Sequence, residues 1–129
     1  MESKDLMIGD WVMVTNLIYN GKKMQVKEIH GDGCITVDGA ITKMFEPISL
    51  TAEILEKNGF VEFTPDNWQI VIDNIMIELR APEHNMAIWL DWDEHDTGTY
   101  ASYMFPRPNC VHELQHTLRL CGIEKEINL

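Results

Sequence analysis

Residues 20–39 read "NGKKMQVKEIHGDGCITVDG", and this stretch decides how the first part of the chain folds. It carries three dipeptides, Asn20-Gly21, Asp32-Gly33 and Asp38-Gly39, that tolerate the positive φ of tight turns. Between them lie "KKMQVKEIH" and "CITV", whose β-branched and apolar side chains suit a pleated, half-buried surface. Working outward, "DWVMVTNLI" precedes the stretch and "AITKMF" follows it. Four short runs with turns this tight make an antiparallel meander, and one so small curls on itself. Residues 1–48 are therefore expected to form a small SH3-like antiparallel β-barrel.

The remainder, residues 49–129, completes an α+β fold. In "PISLTAEILEKNGF", Thr51 is a good N-cap, Glu53 favours the positive end of the helix dipole, and Gly59 stands where a helix ends. This predicts a short linking helix. "GFVEF" and "WQIVIDNIMIELR" then return to strand patterning across the turn Thr64-Pro65-Asp66-Asn67. The alternation changes phase at Asp73-Asn74, which marks a second turn or a bulge. "NMAIWLDW" and "TYASYMF" flank a polar hairpin tip at Asp93–Gly98, and Pro106 and Pro108 end the sheet. Asn109 is expected to cap a last helix over residues 110–121 that Gly122 terminates. Its stripe of Cys110, Val111, Leu114, Leu118 and Cys121 is expected to cover the second sheet. Whether barrel and sheet share one core stays open.

Composition bounds the function. With 129 residues, 45% of them hydrophobic and 24% charged, the chain suits one ordinary domain or two small subdomains. Asp73 and Glu78 interrupt the longest apolar run, so no membrane association is expected. "MESKDLMIGD" lacks the apolar core of a secretory signal, and three cysteines do not suit a disulfide framework. These features predict a cytoplasmic location. The formal charge is −11, and residues 51–129 carry fourteen acids against five cations. Such a field repels phosphate backbones and argues against general nucleic-acid binding.

Catalytic chemistry is suggested most directly by "VHELQH", residues 111–116, which contains HExxH. On a helix, His112 and His116 share a face and could hold zinc, with Glu113 as general base toward a metal-bound water. A third protein ligand is also required. The residues after His116 include no histidine, and Arg119 and Gly122 stand where an extended zinc motif would have Gly and His. His84, Asp91, Asp93 or His95 would have to fold over the helix. The two histidines lie opposite the apolar stripe with Gln115 and Arg119, so the favoured expectation is a solvated helix face.

Other patterns are weaker. "DWDEHDTG" has the composition of a calcium loop but lacks its required glycine, and a hairpin tip is the simpler reading. Trp68, Trp89, Trp92, Tyr100 and Tyr103 could form a stacking platform, although aromatics at alternate strand positions more often pack a core. Cys110 and Cys121 stand too far apart along one helix to bridge and read as small core residues.

"IGDWV", "PISLTAEILEKNGF" and "VHELQHTLRLCGIEKEI" together resemble a family of short hypothetical proteins encoded by gut anaerobes and their prophages or mobile elements. The resemblance spans most of the chain and is loosest over residues 61–105. It brings no catalytic residues with it. It implies that the positions of Glu113 and His116 vary, which suits a docking helix better than a zinc site.

The reading that follows is a non-enzymatic protein-interaction module with another protein as partner, no cofactor and an open oligomeric state. Its alternative is a zinc-dependent hydrolase with His112 and His116 as ligands and Glu113 as base.

Overall fold

Alternation along the first segment sorts side chains cleanly. A computed structural model describes residues 1–81, 84–90 and 102–129. In it, strand β1 (Trp11–Val14) buries Val12 and Val14, and β2 (Lys22–Ile29) buries Met24 and Val26. Strand β3 (Ile35–Val37) buries both of its ends. With Leu6 and Phe45 these residues form one apolar cluster. Each fully buried aliphatic side chain contributes about 1.5–3 kcal/mol relative to exposure.

The expected fourth strand is two. "AITKMF" divides at Lys43-Met44 into β4 (Ala40–Thr42) and β5 (Phe45–Glu46), and Thr42 Oγ1 accepts the Met44 N–H at 2.9 Å. The strand order is β4-β3-β2-β1-β5, with antiparallel pairing throughout. Strands β4 and β5 are therefore the two edges of the sheet, yet only two residues separate them in sequence. Three Cα steps reach at most about 11 Å, whereas five flat strands would hold their edges roughly 19 Å apart. The sheet must curl, and it forms a half-barrel.

Two tight turns of this sheet match the glycine signals. Val37 pairs with Ala40 across Asp38-Gly39, and Gly39 adopts φ +81°. Gly33 adopts φ +92° between β2 and β3.

Two compact units emerge from the pattern of contacts. The first comprises residues 1–50 with 109–127 and 129; the second comprises 51–108 with 128. Helix α1 (Ala52–Lys57) opens the second unit. Thr51 Oγ1 accepts the Ile54 N–H, and Gly59 at φ +91° lets the Phe60 N–H reach Leu55 O. Five strands follow in sequential antiparallel order: β6 (Val61–Thr64), β7 (Asn67–Ile72), β8 (Ile75–Leu79), β9 (Asn85–Trp89) and β10 (Ser102–Pro106). Asp66 at φ 60° and Asp73 at φ 54° make the two-residue turns, so the phase change at Asp73-Asn74 is a hairpin. Ile77, Leu79, Met86 and Ile88 are fully buried. The proposed hairpin tip at 93–98 and the calcium-like pattern at 91–98 lie outside the described residues.

Helix α2 (Val111–Leu120) departs from expectation at its start. It groups with the first unit and contacts β1. Its N-cap is Cys110, one residue later than expected. The Val111 N–H donates to Ile48 O and the Leu50 N–H to Asn109 O, which tie the helix start to the segment leaving the half-barrel. Gly122, at φ +71°, ends it as expected. No helix among the described residues is long and apolar enough to cross a membrane.

Candidate functional site

The polar face of α2 is packed, and this corrects the solvated face expected from its periodicity. His112 is only 7% exposed, Gln115 is buried and His116 is partly buried. What meets that face is the turn Met7–Trp11. Gln115 accepts the Trp11 N–H at 2.9 Å and donates through Nε2 to Gly9 O at 3.1 Å. The Trp11 indole N–H donates to Ile127 O at 2.8 Å. Helical periodicity assigns polar residues to water because it cannot register a complementary polar partner distant in sequence.

At the centre lies Asp10, fully buried. Its Oδ2 accepts the Met7 N–H at 2.8 Å and lies 2.5 Å from His116 Nε2, while its Oδ1 receives Arg119 Nη1 at 2.8 Å. A buried carboxylate is costly unless its lone pairs are satisfied and its charge is met. Here two cationic or hydrogen-bonding side chains from successive turns of α2 do both. Sequence reading singled out His116 but missed Asp10 as its partner and Arg119 as the second side chain on that carboxylate. The available signal was Asp10 itself, an acid between Gly9 and a buried strand.

Glu113 and His112 also have partners. Glu113 Oε2 accepts the Asn109 N–H at 2.9 Å, tying down the segment that enters the helix. The Cys110 thiol lies 3.3 Å from His112 Nδ1. Burial pushes the Cys110 thiol up to about 11, so it stays protonated. Burial lowers the His112 pKa against the opposing pull of Asp10, which favours the neutral imidazole.

The two imidazoles approach edge to face, with centroids 5.5 Å apart and planes at 71°. They border a recess of about 410 Å³ together with Asp5, Pro47 and Glu113. Zinc in such a recess would need at least three protein donors converging on one point about 2 Å from each. Among the described residues, no three His, Cys, Asp or Glu side chains converge in that way. Asp10, the nearest carboxylate to His116, is also bound by Arg119. Of the third ligands considered from sequence, His84 lies in the second unit, while Asp91, Asp93 and His95 lie outside the described residues.

The aromatic residues do not assemble as one platform. Trp68 is buried, and the strand register places Trp68 and Trp89 on opposite faces of the second sheet. Arg80 stacks over the Trp89 ring at 5.8 Å, Tyr103 is exposed, and Trp92 and Tyr100 lie outside the described residues. All three cysteines are free thiols.

No family model, curated protein or solved structure matches this chain.

Proposed function

We propose that the chain is a non-enzymatic protein-interaction module whose N-terminal half-barrel is SH3-like. One observation carries this reading: each functional side chain of HExxH has a partner within its own fold. His112 faces Cys110, Glu113 holds the Asn109 N–H, and His116 meets Asp10. A helix used this way joins chain segments. The strand order β4-β3-β2-β1-β5, with a very short link between its edges, supports the SH3-like description.

A surface suited to a partner supports the same reading. In the connection between β1 and β2, Leu17 is 100% exposed and Ile18 is 83% exposed. The connection is held in shape by the Thr15 N–H on Met44 O and the Tyr19 hydroxyl on Gly39 O. Apolar side chains displayed on a fixed loop suit protein contact. The resemblance to mobile-element proteins and the cytoplasmic expectation belong to this proposal and add no residue roles.

Random-peptide display against the immobilised full chain tests it. The expected outcome is a recurrent peptide pattern whose binding falls when Leu17→Ser and Ile18→Ser are introduced together. Failure to enrich any pattern contradicts the reading.

The competing zinc hydrolase gains one supporting observation, the shared recess beside His112, Glu113 and His116. It requires His116 to exchange Asp10 for metal and Glu113 to release Asn109. Stoichiometric zinc and hydrolytic activity lost in Glu113→Gln would establish it.

A further inference from the structure

Strand β6 is an edge of the second sheet, and all four of its residues are exposed. Among the described residues only β7 pairs with it, so its outer backbone donors and acceptors offer a template for another strand. Val61 is 62% exposed and Phe63 46%. The register Val61↔Gln69 places Val61 on the same face as Val71, which is 52% exposed. The edge therefore combines unpaired backbone with apolar side chains beside it.

Charge identifies the occupant. Residues 58–79 contain Glu62, Asp66, Asp73 and Glu78 and no lysine or arginine. Arg107 engages Asp66 and Arg80 engages Glu78, whereas Glu62 and Asp73 have no cation partner among the described residues. A second copy of this chain is disfavoured, because antiparallel addition of β6 to itself brings two Glu62 side chains near one another.

We propose that β6 takes up an extended segment of a partner protein as an added strand. That segment carries lysine or arginine alternating with apolar residues, which seat against Val61, Phe63 and Val71. Main-chain hydrogen bonds give such a complex its affinity and alternate side chains its specificity. The inference rests on the interaction-module reading but concerns a different surface from Leu17 and Ile18.

Two end-blocked octapeptides serve as probes for the full chain, one alternating lysine with valine or isoleucine, the other alternating glutamate with the same residues. Hydrogen exchange of β6 amides and binding by fluorescence anisotropy are the readouts. The lysine peptide is expected to bind and to slow exchange in β6, while the glutamate peptide does neither. Phe63→Lys should weaken binding by about tenfold or more, whereas Leu120→Lys, at an exposed site on α2 in the first unit, should leave it unchanged. Absence of lysine-peptide binding, binding without protection of β6, or equal loss in both variants overturns the inference. Either peptide binding at Leu17 and Ile18 instead would overturn it while leaving the interaction-module reading standing.

Discussion

His116 Nε2 lies 2.5 Å from Oδ2 of Asp10, a carboxylate with no exposed surface, across 106 positions of sequence. This contact joins the turn before the first strand to the last helix. It gives the second histidine of HExxH a structural task. Residues in direct contact couple by about 0.5–3 kcal/mol in double-mutant cycles. Asp10→Asn and His116→Asn, measured singly and together by chemical denaturation, should show coupling within that range. Additive effects would mean that the contact contributes nothing to stability.

Arg119 meets the other oxygen of the same carboxylate at 2.8 Å. Hydrogen bonds to charged groups contribute about 1.5–3 kcal/mol, and removing one from a buried acid leaves that acid under-satisfied. Arg119→Ala should therefore lower unfolding stability by about 2 kcal/mol. The same substitution in an Asp10→Asn background should cost much less.

Gly9 is a point where backbone geometry matters. It adopts φ +93°, and a Cβ there would lie 3.2 Å from Arg119 Nη2. Its carbonyl also receives the side-chain amides of Gln25 and Gln115. Gly9→Ala should cost about 1–2 kcal/mol from the left-handed conformation alone. Displacement of Arg119 would add to that loss, which thermal unfolding would register.

His112 gives the fold a specific acid sensitivity. Burial holds its pKa below the ordinary value of 6.5, so the unfolded chain binds this proton more readily than the folded one. The associated stability is complete above about pH 6.5 and is lost as pH falls through the lowered folded value. His112→Phe should flatten the stability profile just below pH 6.5. An unchanged slope would place the sensitivity elsewhere.

Cys110 pairs with that neutral ring and is buried, with its thiol pushed up to about 11. Because the thiolate is the reactive form, native Cys110 should resist iodoacetamide near pH 8 and react once the chain is unfolded. Peptide mapping after brief labelling would show the difference. Rapid native alkylation at Cys110 would contradict the packing described.

Much of the fold was legible where local chemistry determines it. Asp38-Gly39, Asp73-Asn74, Thr51 and Gly59 each act within a few residues of themselves, and each marks the turn, cap or helix end that its chemistry requires. The split of "AITKMF" was hidden because Lys43 and Met44 are compatible with a strand, and only closure onto β1 separates the two pieces. The setting of α2 was hidden for a different reason. His116, Gln115 and Arg119 read as solvent-facing until Asp10, Gly9 and Trp11, more than a hundred residues away, supply their partners. The role of Glu113 was obscured by the motif, since the same residue can serve as a base or engage a backbone N–H beside the helix start.

The central claim is that the polar face of the last helix is an internal fastening, with its imidazoles committed to Cys110 and Asp10 before any metal arrives. Thermal unfolding of the metal-stripped full chain, titrated with zinc, tests it most directly, because a ligand that binds only the folded state raises the midpoint by an amount that grows with the logarithm of its concentration over its Kd. The account predicts a midpoint unmoved by equimolar zinc. A saturable rise at one zinc per chain, abolished in both His112→Asn and His116→Asn, would contradict it.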